Sequence, residues 1–301
     1  MDTRPALLVE AFTDQPLHGN GAAVVLLDQP ATADWMQRLA GSLKQSETAF
    51  LHRDAAGAWR LRWFTPTCEV PLCGHATLAA TIALAHWGLL QSGQSLPLAT
   101  RSGALQVGLD DTRAQAAHLV LPSSGLIPLE VPEALQMTLG QPIERYWGSP
   151  LGYRVALLAA AAPLAALANP APQLQGPDRM GLVLMQPLEE FQEEFQIDAA
   201  PQLMGAPCDY QLRFFAPGLG IDEDPVTGSA HALVAPWWME RLQRSQVRGW
   251  QASARRGGML CESVGPGQVR LTGAAQLLWD GQINSSGAGC DPDDWQRAVG
   301  L

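Results

Sequence analysis

The chain has 301 residues, of which 47% are hydrophobic and 16% are charged, a composition typical of a globular protein with a sizeable core. A formal net charge of −10 gives no basic footprint for nucleic acid or for anionic membranes. The five scattered cysteines form no C-x-x-C pair, so they indicate neither a zinc knuckle nor a disulfide framework, and a cytoplasmic protein is expected. The most hydrophobic stretch, residues 155–168, contains Pro163 and falls short of the roughly 20 residues that span a bilayer.

Short apolar segments between glycine and proline residues predict strands, and three longer segments predict helices. The predicted strands are residues 6–9, 23–27, 61–64, 118–121, 182–185, 212–215 and 269–271. The predicted helices are residues 33–43, with Thr32 as N-cap, residues 76–90 and residues 230–242. Many strands and few helices, without a regular alternation of the two, predict an α+β fold.

Three short motifs recur in the same order in the second half of the chain. Phe64-Thr65-Pro66 recurs as Phe215-Ala216-Pro217, Gly74-His75-Ala76 as Gly228-Ser229-Ala230, and Arg101-Ser102-Gly103 as Arg256-Gly257-Gly258. The offsets are 151, 154 and 155 residues, as small loop insertions would produce. This repeat predicts two similar lobes, residues 1–116 and residues 117–285, with the active site in the cleft between them. The tail, residues 286–301, is expected to join the first lobe.

The two glycine turns are the first candidates for a binding function. Gly74 and Gly228 each precede a predicted helix, and Thr227 and Ser229 flank the second glycine. Free N–H groups at a helix start carry partial positive charge and bind anions, so Gly74, Thr227 and Gly228 are candidates for holding a carboxylate. Taken singly, each motif is equally that of an ordinary turn with an N-cap residue.

Three side chains beside these turns are candidates for moving a proton. Glu47 follows the first predicted helix and opens an apolar segment. Taken alone, this position favours a surface residue, but with its side chain turned inward the carboxylate would be a stronger base than in water. His75 lies at a helix start, where a neutral imidazole suited to proton transfer is expected. Asp224 precedes the second turn and is a candidate for holding a histidine or helping to move a proton.

Cofactor and metal motifs are missing from the sequence. It contains neither a G-x-G-x-x-G fingerprint, nor a P-loop, nor a G-x-S-x-G nucleophile elbow. The other histidines (His18, His52, His86, His118 and His231) lack the spacing of metal ligands. We therefore expect an enzyme that uses no metal and no cofactor.

Six segments, spread from about residue 7 to about residue 283, together carry a resemblance to a known family. They are Val9-Glu10-Ala11-Phe12-Thr13, Gly19-Asn20, Ser46-Glu47-Thr48-Ala49-Phe50-Leu51, Phe64-Thr65-Pro66, Leu72-Cys73-Gly74-His75-Ala76-Thr77, and Asp222-Glu223-Asp224-Pro225-Val226-Thr227-Gly228-Ser229-Ala230-His231. The chain resembles the PhzF-like isomerases of phenazine biosynthesis, within the diaminopimelate-epimerase-like superfamily.

The resemblance implies two pseudo-symmetric lobes, each a rolled β-sheet or barrel around a central helix, and a homodimer. It implies that Glu47 moves a proton within a substrate of the dihydro-hydroxyanthranilate type, converting an enol to a ketone. His75, Asp224 and Ser229 match the family's other catalytic positions, and the backbone at the two glycine turns would bind the substrate carboxylate.

Two other functions stay open at this point. An amino-acid or small-acid epimerase or racemase of the same superfamily would use two facing thiols, but only the first turn has a cysteine, Cys73. Glu47 and Asp224 would have to serve as its two bases. A non-catalytic binding protein would need only the anion-binding turns, and it would not catalyse exchange of solvent deuterium into a bound ligand.

Overall fold

The computed structural model describes residues 3–113, 115–188 and 201–285, together with Gly289 and Trp295. These residues form two compact units. The first comprises Met1–Val120 with Thr272–Leu301, and the second comprises Leu121–Leu271.

Strands outnumber helices in the described residues, as the sequence predicts. The strands are β1 (Thr3–Ala11), β2 (Asn20–Leu27), β3 (Glu47–Arg53), β4 (Trp59–Phe64), β5 (Glu69–Val70), β6 (Ser95–Thr100), β7 (Gly103–Leu109), β8 (Ala116–Pro122), β9 (Ile127–Leu129), β10 (Ile143–Gly148), β11 (Arg154–Leu158), β12 (Leu182–Pro187), β13 (Gln202–Leu203), β14 (Ala206–Pro207), β15 (Tyr210–Ala216), β16 (Ile221–Asp224), β17 (Gln246–Gln251), β18 (Gly257–Gly265) and β19 (Gln268–Asn284). The α-helices are α1 (Ala33–Leu43), α2 (Gly74–His86), α3 (Glu133–Leu139) and α4 (Gly228–Leu242), and 3₁₀ turns lie at Leu164–Ala166, Ala171–Gln173, Gly176–Met180 and Pro217–Leu219.

The first unit is a closed, mixed barrel of eight strands. Its strands pair in the order β19–β1–β2–β3–β4–β6–β7–β8, and β8 returns to β19. The pairs β2–β3 and β4–β6 are parallel. Near the closure the Ala275 N–H donates to the Gln115 carbonyl at 2.9 Å. Closure leaves this sheet without the unpaired edges that promote aggregation.

Helix α2 is the core of this barrel. Ten consecutive residues, from His75 to Leu84, are buried, and the helix packs against β1, β2, β3 and β7. Alanine or leucine occupies most positions of this helix, so it is apolar on every side. Such a helix must be enclosed by the rest of the protein. The hydroxyls of Thr77 and Thr81 donate to the carbonyls four residues earlier, at 2.5 and 2.9 Å, so neither is buried without a partner.

The second unit repeats this strand order. Its strands pair in the order β9–β10–β11–β12–β15–β17–β18, with β11–β12 and β15–β17 parallel and β16 paired to β15. The series β10, β11, β12, β15, β16, α4, β17 and β18 thus matches β1, β2, β3, β4, β5, α2, β6 and β7. The three recurring motifs fall at the ends of β4 and β15, at the starts of α2 and α4, and between β6–β7 and β17–β18. The predicted α+β fold of two similar lobes is confirmed.

The helix bounds differ from the predicted ones in two places. Helix α1 has its predicted bounds, but α2 and α4 each begin two residues earlier, at the glycine of the turn. Helix α2 also ends at His86 rather than at residue 90, because Gly88 adopts a φ of 72°, which an α-helix does not continue. Among the described helices, none is long and apolar enough to cross a membrane.

The long strand β19 changes the division of the chain. Its second half pairs with β1 from Ala275 to Asn284, so residues 272–285 belong to the first unit, although the sequence placed them in the second lobe. Most of the tail, residues 286–301, lies outside the described residues. Trp295 is described and is fully buried in the first unit, where its indole N–H donates to the Ala31 carbonyl at 2.8 Å.

Gly249 in β17 leaves space for two buried side chains of the second unit. A Cβ at this position would lie 2.4 Å from His231 Nδ1 and 2.5 Å from the Tyr210 hydroxyl. We expect Gly249→Ala to lower the free energy of unfolding by about 1–3 kcal/mol, because overpacking displaces both rings. Gly125→Ala is the matched control, since no described atom lies within 4 Å of its Cβ position. Equal urea midpoints for the two variants would contradict the expectation.

Candidate active site

Glu47 and His75 meet in the core of the first unit. Glu47 is the first residue of β3 and His75 the second residue of α2, and their side chains are brought together at 2.9 Å between Oε2 and Nε2. Both residues are buried, with 8% of Glu47 and 5% of His75 exposed. A carboxylate and an imidazole in contact and away from bulk water are suited to holding and passing a proton.

The electrostatics of this pair favour a charged imidazole. Burial alone would lower the pKa of His75, but the neighbouring Cys73 and Glu47 outweigh burial, and the pKa of His75 is raised well above 6.5. At neutral pH the negative charge that raises the pKa of His75 belongs to Glu47. The Cys73 thiol stays protonated there, because burial raises its pKa. The helix start was expected to hold His75 neutral, and the ion pair with Glu47 overrides that local effect.

Two further side chains fix the His75 ring on its other nitrogen. The Asn20 amide nitrogen lies 3.2 Å from Nδ1, and Cys73 Sγ lies 3.5 Å from the same atom. Asn20 opens β2, directly after Gly19, whose φ of 69° suits glycine. Sequence reasoning assigned no role to Asn20. Its complete burial beside a catalytic candidate identifies it as a functional residue, because a buried polar side chain requires hydrogen-bond partners.

Helices α2 and α4 begin differently from α1. In α1 the Thr32 hydroxyl accepts a hydrogen bond from the Trp35 N–H at 3.3 Å, and Asp34 adds a negative charge to the first turn. In α2 and α4 the N-cap residues are Cys73 and Thr227, and in the described structure neither side chain caps its helix and neither first turn is acidic. The N–H groups of these two first turns are therefore suited to binding an anion.

Asp224 and Gln251 build the turn that leads into α4. The Thr227 hydroxyl donates to Asp224 Oδ2 at 2.5 Å, which explains why this hydroxyl does not cap the helix. The Gln251 side chain donates to the Asp224 carbonyl at 2.7 Å and accepts from the Thr227 N–H at 2.8 Å. The sequence suggested that Asp224 holds a histidine or moves a proton; in the structure its contact with the Thr227 hydroxyl holds the turn. Sequence reasoning missed Gln251, which is fully buried in β17.

Ser229, the second residue of α4, is paired with a tyrosine. Its hydroxyl lies 3.2 Å from the Tyr153 hydroxyl. The Tyr153 ring packs on Phe214, with centroids 5.0 Å apart, and also against the backbone of Gly181, where a Cβ would lie 2.4 Å from the ring. This packing holds the Tyr153 hydroxyl next to Ser229. Sequence reasoning also missed Tyr153, because nothing in the sequence around this tyrosine indicates that it contacts Ser229.

The structure thus places every predicted site residue at a helix start or in contact with one. In the first unit Glu47, His75 and the α2 start at Gly74 form one group. In the second unit Asp224 and Thr227 form another, next to Gly228 and Ser229 at the α4 start. The first group contains a buried acid and base in contact, and both helix starts offer N–H groups to an anion.

Comparisons with known proteins identify the family to which this chain is similar. A family model described as phenazine biosynthesis-like protein, PhzC-PhzF, matches residues 9–281. The chain is 38% identical over 280 residues to a Pseudomonas aeruginosa protein named an uncharacterized isomerase, covering 92% of this chain and 97% of that relative. It is 31% identical over 298 residues to phenazine biosynthesis-like domain-containing protein 1 of Mus musculus, covering 93% of this chain and 99% of that relative.

A solved structure gives the same result for the fold. The phenazine biosynthesis protein of the PhzF family from Enterococcus faecalis is 28% identical in sequence and has a TM-score of 0.80. The similarity covers 94% of this chain and 100% of that one.

Proposed function

Because this chain belongs to the phenazine biosynthesis-like protein family and is an isomerase, we propose that Glu47 carries a proton between two atoms of one small, carboxylate-bearing substrate. The proposal includes a mechanism that uses no metal and no cofactor. The observation that carries it is the buried contact between Glu47 and His75.

The proposed reaction needs one group that takes a proton and returns it elsewhere on the substrate. The Glu47 carboxylate accepts a proton from one substrate atom, becomes a carboxylic acid, and donates the proton to a second atom, so no atom is gained or lost overall. Among the described residues, Glu47 Oε2 is buried without an aligned hydrogen-bond donor, although His75 Nε2 lies 2.9 Å away. Glu47 thus acts first as the base and then as the acid within one turnover.

His75 has a supporting part in this proposal. Its raised pKa makes it an imidazolium at neutral pH, and the positive charge stabilises the Glu47 carboxylate between turnovers. The same charge stabilises negative charge that develops on the substrate when Glu47 removes a proton. With its amide rotated so that the oxygen faces the ring, Asn20 accepts the Nδ1 proton, and together with Cys73 Sγ beside the same nitrogen it holds the ring in the orientation that this requires.

The substrate carboxylate is assigned to the uncapped helix starts. First-turn N–H groups at such a start bind it, and at α4 the Ser229 hydroxyl adds a donor once Tyr153 has donated to the Ser229 oxygen. Asp224 keeps the Thr227 hydroxyl away from the α4 N–H groups and so leaves them to the ligand. Asp224 is thus a positioning residue in this proposal.

The resemblance to PhzF-like isomerases gives the first substrate to test. A dihydro-hydroxyanthranilate has a carboxylate that the helix starts would bind. Its conversion from enol to ketone requires a proton transfer, which Glu47 would carry out. We expect the purified protein to isomerise trans-2,3-dihydro-3-hydroxyanthranilate or a related cyclic enol carboxylate, followed by absorbance and by proton NMR of the product. A panel of cyclic and acyclic unsaturated carboxylates that bind without any turnover would overturn the proposal and favour a binding protein.

A further inference from the structure

A six-residue motif precedes both uncapped helices, and no step of the proposed reaction uses its glutamate. Each copy has the form Glu-x-Pro-x-x-Gly and ends at the first residue of its helix, residues 69–74 at α2 and residues 223–228 at α4. The two copies are 154 residues apart, the same offset as that of the glycine turns. Helix α1, which Thr32 caps, lacks the motif. The glutamate and the proline therefore belong to the repeated part of the chain.

Each glutamate of the motif is bound by an arginine through two hydrogen bonds. Arg62 Nε and Nη2 donate to the two carboxylate oxygens of Glu69 at 2.7 and 2.8 Å, which we call the β4 pair. Arg213 Nε and Nη2 donate to those of Glu223 at 2.7 and 2.8 Å, which we call the β15 pair. Both arginines are buried. Bidentate ion pairs of this kind fix the orientation of the two side chains as well as their distance.

The two arginines are themselves held by their own strands. The guanidinium carbon of Arg62 lies 5.3 Å from the centre of the Phe64 ring, and that of Arg213 lies 4.9 Å from the centre of the Phe215 ring. Strands β4 and β15 are each paired with a neighbour on both sides. Each ion pair therefore ties its glutamate to a strand inside the sheet.

The segments that carry the glutamates are short and gain a second anchor at the proline. Strand β5 has two residues and β16 has four, and the pairing of β16 with β15 contains a register shift. Pro71 and Pro225 have no N–H to donate, but their carbonyls accept hydrogen bonds from the hydroxyls of Ser102 and Ser253 at 2.7 and 2.6 Å. Each turn is thus fixed at its glutamate and at its proline before the helix begins.

We propose that the β4 pair and the β15 pair position the starts of α2 and α4 for catalysis, a role that rests on the proposed function. The β15 pair fixes Asp224, the residue after Glu223, which keeps the Thr227 hydroxyl away from the α4 N–H groups. The β4 pair fixes the turn that brings His75 to Glu47. The β15 pair therefore supports binding of the substrate carboxylate, and the β4 pair supports proton transfer.

Glu223→Gln and Glu69→Gln test these two roles, because glutamine keeps the shape of glutamate but loses its charge and one accepting oxygen. With trans-2,3-dihydro-3-hydroxyanthranilate, Glu223→Gln should raise KM by about 10-fold and change kcat less than about threefold. Glu69→Gln should instead lower kcat by about 10-fold. Asp54→Asn is the matched control and should change neither constant. It weakens a similarly buried ion pair, with Arg60, at the end of β3 far from Glu47.

Hydrogen exchange gives a readout that needs no substrate. Peptides covering residues 224–231 should exchange faster in Glu223→Gln than in the wild type, and at the wild-type rate in Asp54→Asn. Thermal unfolding verifies that each variant is folded. If Glu223→Gln does not fold, Arg213→Lys, which keeps the positive charge but not the bidentate contact, takes its place with the same expected results.

Two results would overturn the inference. One is wild-type exchange and wild-type kinetic constants in the folded Glu223→Gln and Glu69→Gln proteins. The other is the same change of KM and kcat in both variants, which would show a general structural role. Faster exchange in Glu223→Gln, together with no turnover by the wild type, would instead count against the proposed function alone.

Discussion

Glu47→Gln is expected to lower kcat by about 10³-fold while the affinity for the substrate changes only several-fold, because general acid–base groups contribute about 10²–10⁴-fold. Glutamine has nearly the same shape as glutamate and still contacts His75, but it does not accept and return a proton. The substrate carboxylate is held by the helix starts in this account, so binding survives the substitution. Turnover is measured by stopped-flow absorbance, and affinity by calorimetry.

The control for this variant is Glu144→Gln, which removes an exposed carboxylate from β10 in the second unit. It should keep the wild-type kcat. A Glu47→Gln protein that unfolds at room temperature would show that Glu47 is structural. A folded variant that turns over at more than about a tenth of the wild-type rate would exclude Glu47 as the proton carrier.

His231 is expected to make the protein unstable in acid. It lies in α4, fully buried, with Nδ1 2.8 Å from the Tyr210 hydroxyl. Burial lowers the pKa of His231 from 6.5 to about 3. Between these two values the unfolded chain binds one proton that the folded chain does not, so folding stability is full above pH 6.5 and is lost as the pH falls toward 3. Over that whole window the loss amounts to about 5 kcal/mol.

His231→Gln tests this expectation, because glutamine keeps a polar contact for Tyr210 but does not titrate. Urea unfolding at about pH 7 and at about pH 4.5 should show a smaller loss of stability in the variant than in the wild type, by about 2–3 kcal/mol. His18→Gln, in an exposed loop, should lose as much stability as the wild type. An equal loss in wild type and His231→Gln would show that other groups cause the acid sensitivity.

Local patterns in the sequence predicted the elements that depend on neighbouring residues. Helix α1 has its capping residue Thr32 and its apolar stripe within a dozen positions, so its bounds were predicted correctly. The glycine turns were recognisable for the same reason, and so was the repeat of the two halves. The apolar strand after Glu47 indicated an interior position as one of two alternatives, and the structure shows that Glu47 is buried.

Contacts between distant residues were not predictable from local patterns. Asn20 and His75 are 55 positions apart, Thr227 and Gln251 are 24 apart, and Tyr153 and Ser229 are 76 apart. The charge on His75 depends on Glu47, which a different strand supplies, and it opposes the neutral state expected from the helix start. Likewise, β19 joins the first unit through its pairing with β1, at the opposite end of the chain.

Isomerisation in heavy water tests the role of Glu47 most directly. The wild type and Glu47→Gln would be given trans-2,3-dihydro-3-hydroxyanthranilate side by side, and proton NMR would locate deuterium in the product. If Glu47 carries the proton and exchanges it with solvent between turnovers, the wild-type product gains deuterium at one carbon, and the variant forms no product. Deuterium at that carbon with both proteins, at similar rates, would contradict the account and assign the proton transfer to another group.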